Sequence, residues 1–288
     1  MRGPRFFFAL LLSSFAIIAG SSVQAQISSD QTLGAEESIV KTSVDASGNS
    51  AVLIEGGATR GPNLFHSFEA FSVDENASAY FANPNNVSSI FSRVTQSAPS
   101  NILGTLGVNG PADLYFINPN GIVFGEHAKL DLQGSFYATT ADEIRSQGTD
   151  LFSSALTSDS SQLLAVRPSA FFFSRTNQGS DVVVRTSARA SSQNRDRGLQ
   201  VNDGEDITIV SNDVDINGGL INAWDGSVQI AAVAGEASVD LSDTGVLTIP
   251  DRVQRGNIDI QNRALVDVEF ITDGNIRLLA DDINILSG

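Results

Sequence analysis

The feature that most constrains the fold is a short unit, repeated from residue 207 onward, in which two apolar residues flank one polar residue. In a β-strand, residues two apart point to the same face, so each unit predicts a brief strand with one buried face. Gly, Asn and Asp fill most of the gaps between the units and predict turns. The pairs are Ile207/Ile209, Val214/Ile216, Val228/Ile230, Val239/Leu241, Leu247/Ile249, Ile258/Ile260, Val266/Val268, Ile276/Leu278 and Ile283/Ile285. This all-β pattern is compatible with a sandwich, a barrel or a solenoid.

Internal similarity favours the solenoid. Residues 256–260 (GNIDI) recur as residues 274–278 (GNIRL), and an Asp-Gly pair precedes the strands at 227 and 275. A coil of about 18 to 25 residues is typical of a parallel β-helix, in which inward-facing apolar side chains stack into one core. After Pro119 the only prolines are Pro168 and Pro250, as expected where backbone amides donate to strand ladders. A β-sandwich remains the alternative.

A more specific motif occurs twice, as YFANPNN at residues 80–86 and as YFINPNG at residues 115–121. Asn favours the first position of a type I turn, Pro the second, Asn the third and Gly the fourth. Local chemistry therefore predicts two corners that each follow a strand. Because both copies follow a Tyr-Phe strand, we interpret them as two copies of one strand-to-turn unit.

Together with these corners, the chain resembles the filamentous haemagglutinin N-terminal domain, the secretion domain of two-partner secretion exoproteins, in its cyanobacterial form. The matching segments are residues 63–68, 71, 81–84, 90–95, 100–104, 117–125 and 130–141, with looser similarity at 168–171 and 218–235. The resemblance implies a right-handed parallel β-helix with an N-terminal β cap. It also implies a non-enzymatic, adhesin-type exoprotein that a partner outer-membrane β-barrel transporter binds through periplasmic domains while the exoprotein is incompletely folded.

The resemblance also assigns transporter recognition to seven corner residues. They are Asn83, Pro84, Asn85, Asn118, Pro119, Asn120 and Gly121. Two positions depart from the family pattern. Asn86 stands where a hydrophobic residue is usual, and Gln96 replaces the Gly that usually follows Arg-Val-Thr.

Three regions are predicted along the chain. Residues 1–25 carry two arginines, an apolar stretch and Val-Gln-Ala, as in a cleaved signal peptide. Residues 26–165 are expected to form the secretion domain, with the cap and the first coils. Residues 166–288 are expected to continue the coils, with an irregular loop at 185–200. Such a chain is expected to cross the periplasm and the outer membrane and to reach the cell surface or the medium.

Charge narrows the classes of partner. The net charge of −16 and the presence of only two lysines argue strongly against a nucleic-acid binder, which needs a basic face. The alternative function is a glycan-binding or adhesive module, with a host or cell-surface glycan as its partner. The arginines of the 185–200 region either belong to a loop that projects from the rod or form a local basic spot for an anionic glycan or a lipid headgroup. A β-helical polysaccharide-degrading enzyme is less favoured, because the acidic residues are scattered. With no cysteine and two histidines, no cofactor or metal site is predicted.

Two further expectations concern the ends of the rod. His66 lies between Phe65 and Phe68 and is expected to pack in the N-terminal cap, whereas His127 is expected in a turn.

Residues 281–288 continue the strand pattern without a covering helix, Pro or basic residue. Since an open strand edge pairs readily with another chain, we expect self-association through this edge and a natural exoprotein that is longer than this sequence.

Overall fold

The computed structural model describes residues 26–147, 149–154, 163–174, 180–187, 198–269, 271 and 274–286. The predicted signal peptide at 1–25 and residues 188–197 of the predicted loop lie outside the described residues. Within the described part of the chain, no helix is long and apolar enough to cross a membrane.

Strands dominate the described residues, and the chain also forms one short 3₁₀ helix at Gly34–Glu36. The strands are β1 (Ile27–Ser29), β2 (Ser38–Val44), β3 (Ser50–Gly56), β4 (Ala58–Arg60), β5 (Asn63–Phe71), β6 (Ser78–Ala82), β7 (Ser89–Val94), β8 (Ser100–Ile102), β9 (Thr105–Asn109), β10 (Asp113–Ile117), β11 (Ile122–Phe124), β12 (Lys129–Asp131), β13 (Phe136–Thr139), β14 (Glu143–Ser146), β15 (Thr149–Ser153), β16 (Ala170–Phe173), β17 (Val182–Val184), β18 (Leu199–Gln200), β19 (Ile207–Ser211), β20 (Val214–Asn217), β21 (Leu220–Asn222), β22 (Ser227–Ala232), β23 (Ala237–Leu241), β24 (Leu247–Thr248), β25 (Ile258–Gln261), β26 (Leu265–Asp267), β27 (Asn275–Leu279) and β28 (Ile283–Leu286).

Parallel pairing between successive coils builds the rod. The first sheet runs β5-β7-β10-β13-β19-β22-β27, and the second runs β8-β11-β17-β20-β25-β28. The third face consists of β3-β6-β9-β12, followed by the short sheet β18-β21-β26. One coil passes from β10 in the first sheet through β11 in the second to β12 in the third. The predicted right-handed parallel β-helix is therefore confirmed.

Inward-facing apolar residues of successive coils lie in register and form the inner core. On the first sheet the aligned positions are Leu64, Ile90, Leu114, Phe136, Ile207, Val228 and Ile276. All but Ile276 are buried. Each coil therefore covers the apolar face of the one before it, as the apolar pairs predict.

The N-terminal end of the rod is closed by antiparallel strands, as expected for the β cap. β1 and β4 both pair antiparallel with β5, and β2 pairs antiparallel with β3. His66 is fully buried beside this cap, with its Nδ1 3.1 Å from Ser38 Oγ of β2 and its ring 5.3 Å from that of Phe81. Burial lowers the pKa of His66 to about 3, so it is neutral at physiological pH. His127 lies exposed in a turn, so both expectations for the histidines hold.

A second, outer core lies on the opposite face of the first sheet. The antiparallel outer sheet, in the order β15-β14-β16-β23-β24, packs there and buries Phe152, Phe171 and Phe173. The outward side chains Phe65, Phe91, Tyr115 and Tyr137 stack beneath it, with ring centres 4.1 to 5.0 Å apart. Three strands within residues 166–288 thus lie outside the coils, an arrangement that the sequence analysis does not anticipate.

The structure revises one of the internal repeats. Residues 258–261 form β25 in the second sheet, whereas residues 275–279 form β27 in the first, so the two GNI segments lie on different faces. The similarity reflects the same turn-to-strand chemistry at two corners rather than one coil period. The residues that follow the two Asp-Gly pairs are structurally equivalent, because Ser227 aligns with Asn275 across β22 and β27.

Candidate functional site

The two Asn-Pro-Asn corners lie at different edges of the rod. Residues 83–86 connect β6 of the third face to β7 of the first sheet, whereas residues 118–121 connect β10 of the first sheet to β11 of the second. Both motifs consist of a strand followed by a turn, as the interpretation of one strand-to-turn unit predicts, but they lie at different corners of the coil. We call residues 83–86 the first corner and residues 118–121 the second corner.

The second corner has the predicted turn chemistry. The Gly121 N–H donates to the carbonyl oxygen of Asn118 over 3.1 Å, which closes a four-residue turn. The Asn120 N–H donates to Asn118 Oδ1 over 3.0 Å, so the side chain of Asn118 caps its own turn. Gly121 has a φ of 112°, a conformation that favours glycine.

Asn118 also ties the second corner to the preceding coil. Its Nδ2 donates to the carbonyl oxygen of Ala98 (3.0 Å) and to Ser100 Oγ (2.9 Å), and the side chain is fully buried. Asn120 Nδ2 adds a 2.7 Å hydrogen bond to the carbonyl oxygen of Gln96. Pro119 and Gly121 are buried as well. In the folded chain this corner has little polar surface left to offer a partner.

The first corner is built differently and is more open. Its hydrogen-bonded turn is shifted by one residue, since the Val87 N–H donates to the carbonyl oxygen of Pro84 (3.2 Å). Asn86 has a φ of 71°, the left-handed conformation that Asn tolerates. Pro84, Asn85 and Asn86 are exposed, whereas Asn83 is half-buried.

Asn83 links the first corner to the following coil. Its Nδ2 donates to the carbonyl oxygen of Val87 (3.0 Å), and its Oδ1 accepts the Ala112 N–H (3.0 Å). Gly110 makes room for this contact, because a Cβ there would overlap the Asn83 side chain. The seven predicted recognition residues therefore do not form one surface.

A cleft of about 300 Å³ lies between the second corner and the outer sheet. Its lining includes Gln96, Pro119, Asn120, Asp142 and Glu143. Both carboxylates already have partners: Asp142 Oδ2 accepts the Ser174 N–H (2.6 Å), and Glu143 forms a 2.8 Å ion pair with Arg145. The cleft is open to solvent, and its acidic groups are held by partners at the outer sheet.

The Asp113 carboxylate has an unusual electrostatic environment. Asp113 begins β10, the strand that leads into the second corner, and aligns with Ser89 of β7, the strand that follows the first corner. Burial raises the pKa of Asp113 to about 6, and the charges of Glu205 and Asp206 add to this rise, whereas a hydrogen bond from the Ser135 N–H (2.9 Å) opposes it. Among the described residues, no group of three or more His, Asp or Glu side chains is arranged to hold a metal ion.

Sequence reasoning missed the long-range partners of the corners. Gln96 stands out in the sequence only as a departure from the family pattern, yet its carbonyl oxygen receives the Asn120 amide. Ser100 belongs to a matching segment, but nothing in the sequence indicates its contact with Asn118. Arg93 likewise belongs to a matching segment, and its burial is found only in the structure.

One family model and one solved structure agree with this architecture. The family model described as the TPS secretion domain matches residues 25–278. The solved secretion domain of HMW1 from Haemophilus influenzae is 21% identical, with a TM-score of 0.53; the match covers 84% of this chain and 60% of that one. A filamentous hemagglutinin secretion domain is 16% identical, with a TM-score of 0.35, and the match covers 87% of this chain and 99% of that one. No curated protein matches the chain.

Proposed function

Because the chain belongs to the TPS secretion domain family, we propose that it is exported across the outer membrane by a dedicated β-barrel transporter, whose periplasmic domains recognise it. The family match over residues 25–278 supports this proposal. Secretion domains of this kind are recognition modules. Separately, the described residues of this chain present no metal cluster.

We further propose that the seven corner residues contribute to recognition in two different ways. The observation that carries this division is the full burial of Asn118, whose side-chain amide and carbonyl groups are all hydrogen-bonded within the fold. A transporter can therefore contact the side chain of Asn118 only before the second corner closes. Asn85 is exposed and remains available in the folded chain.

Closure of the second corner would then make export hard to reverse. Asn118 joins residues of two successive coils, so its hydrogen bonds form only when both coils are in place. In a chain held by the transporter, the side-chain amide and carbonyl of Asn118 are free to bind it. In a chain that has folded outside the cell, both groups are hydrogen-bonded within the fold. A cleavable signal peptide at 1–25, final location at the cell surface or in the medium, and adhesin-type activity belong to the same proposal.

An export assay in the source organism tests the proposal. The chain is followed in the medium and in the periplasm, with and without its two-partner secretion transporter. We expect export to require the transporter and to fall strongly in Asn118→Ala, while Asp259→Ala on a distant coil is exported normally. Release of the chain into the medium without the transporter would contradict the proposed route, and normal export of Asn118→Ala would contradict the role of the second corner.

Self-association through the C-terminal edge is a separate proposal. The ladder of the second sheet ends at β28 in the described residues, and Ile285 and Leu286 are 71% and 60% exposed. Exposed apolar side chains beside unpaired strand amides favour pairing with a second copy. Sedimentation of the purified chain should show association that Ile285→Lys reduces, and a monomer at high concentration would contradict self-association.

No feature of the described residues favours a glycan site, so the glycan-binding alternative stays a prediction from the sequence.

A further inference from the structure

Residues 30–36 cross the outer face of the first sheet and help to close the outer core; we call them the strap. Leu33 is 1% exposed and packs in the same cluster as Phe65 and Phe152. Glu36 forms a two-pronged ion pair with Arg60 of β4, with N–O distances of 2.7 and 3.0 Å. The strap thus contacts both the cap and the outer core.

Arg93 lies beneath the strap and is fully buried. Its Nε donates to Ser67 Oγ (2.7 Å), its Nη2 to Thr32 Oγ1 of the strap (2.7 Å), and its Nη1 to the carbonyl oxygen of Ser153 in β15. Its Cζ lies 4.4 Å from the centre of the Phe152 ring. One guanidinium therefore joins the strap, the rod and the outer sheet.

Asp30 supplies the opposite charge through hydroxyl groups. Its Oδ2 accepts hydrogen bonds from Ser67 (2.6 Å) and Thr95 (2.8 Å), and its Oδ1 accepts one from Thr32 Oγ1 (2.8 Å). Burial alone would raise the pKa of Asp30, but these hydrogen bonds outweigh it and lower the pKa. Burial lowers the pKa of Arg93 to about 10, against the opposing charge of Asp30, so both groups are ionised at neutral pH.

A buried guanidinium is tolerated only when its donors are satisfied, because a buried charge without partners is very costly. Two of the partners of Arg93 come from segments far apart in the sequence, Thr32 near the start and Ser153 in the outer sheet. Loss of either segment leaves the same charge with fewer hydrogen bonds. Binding of one segment should therefore favour binding of the other.

We propose that the strap and β15 close the outer core as one cooperative unit, coupled through Arg93. The rod beneath them has its own inner core and its own ladder of parallel strands. The unit would act as a latch, because the N-terminal half of the fold would be complete only when residues 149–153 are free to pack beside the strap. The latch would operate in the folded chain whether or not a transporter recognises it.

Hydrogen exchange of the purified chain tests the coupling. Thr32→Val removes the hydroxyl that Arg93 Nη2 contacts while preserving the size of the side chain. We expect the amides of β15 to exchange at least about fivefold faster, relative to the amides of β10, than in the unmodified chain. The matched control is Thr59→Val, an exposed position on β4, which should leave β15 unchanged.

Coupling is reciprocal, so a change in the outer sheet should loosen the strap. Phe152→Leu, beside Arg93, should speed exchange of the amides of residues 30–36, whereas Phe173→Leu, equally buried in β16, should not. Unchanged exchange of β15 in Thr32→Val would overturn the proposal. So would an equal acceleration of β10, because the strap and β15 would then open only when the whole rod unfolds.

Discussion

The first and second corners share Asn-Pro-Asn and a preceding Tyr-Phe strand, but they use the first Asn in opposite directions along the rod. Asn83 reaches forward and accepts the Ala112 N–H of the next coil. Asn118 reaches back to Ala98 and Ser100 of the preceding coil. One motif thus supports two kinds of contact, and the surroundings of each corner decide which one forms.

Burial is the second difference, and it separates the roles that the two corners can have. The second corner is covered by its neighbours, and a polar group that is buried and satisfied there contributes to stability. The first corner leaves Asn85 and Asn86 in solvent. The motif alone does not distinguish a recognition surface from a structural corner. The hydrogen-bond partners of its side chains make that distinction.

The largest expected effect is that of Asn118→Ala. The substitution leaves the carbonyl oxygen of Ala98 and Ser100 Oγ without their donor and removes the acceptor of the Asn120 N–H. We expect a loss of about 3 kcal/mol in the free energy of unfolding, measured by urea denaturation. The matched control is Asn85→Ala in the exposed first corner, which should change stability by less than about 0.5 kcal/mol. Equal effects of the two would contradict the difference between the corners.

Substitution of the fourth corner residue should separate the corners next. Gly121→Val places a β-branched side chain at a φ of 112°, with its Cβ 3.3 Å from the carbonyl oxygen of Asp181. We expect a destabilisation of about 2 to 3 kcal/mol by thermal or urea unfolding. Asn86→Gly at the equivalent position should be close to neutral, since Asn already adopts its left-handed conformation. A tolerated Gly121→Val would show that the second corner is not rigid.

Stability should depend on pH through Asp113, which begins β10 and follows Ala112, the partner of Asn83 in the first corner. The folded pKa of about 6 is above the unfolded value of about 3.9, so the folded state binds the proton more tightly. Stability from this group is therefore present at low pH and is lost as pH rises from about 4 to about 6, by at most about 3 kcal/mol. Unfolding measured between pH 4 and 7 should show this loss, and Asp113→Asn should remove it. Identical pH profiles of the two proteins would refute the shift.

The smallest expected effect is that of Asn83→Ala in the first corner. The variant loses one hydrogen bond to the Ala112 N–H and one to the carbonyl oxygen of Val87, in a half-buried site that water can enter. We expect about 1 kcal/mol of destabilisation by urea unfolding. A loss as large as that of Asn118→Ala would mean that both corners are equally structural.

Local chemistry could be predicted from the sequence, and long-range partners could not. The turn of the second corner follows from Asn, Pro and Gly at fixed positions, and the inner core follows from apolar alternation. The outer sheet escapes this reasoning because Val239 and Leu241 show the same alternation whether their strand lies in a coil or in an antiparallel sheet. Alternation assigns a buried face but does not identify the strand that pairs with it.

Side-chain amide exchange of Asn118 and Asn85, followed by NMR in the purified chain, tests the difference between the corners most directly. The Nδ2 group of Asn118 is buried and donates two hydrogen bonds, so its protons should exchange orders of magnitude more slowly than those of the exposed Asn85. This result would place the second corner inside the folded structure and leave the first on its surface. Equally rapid exchange of both side chains would contradict the account.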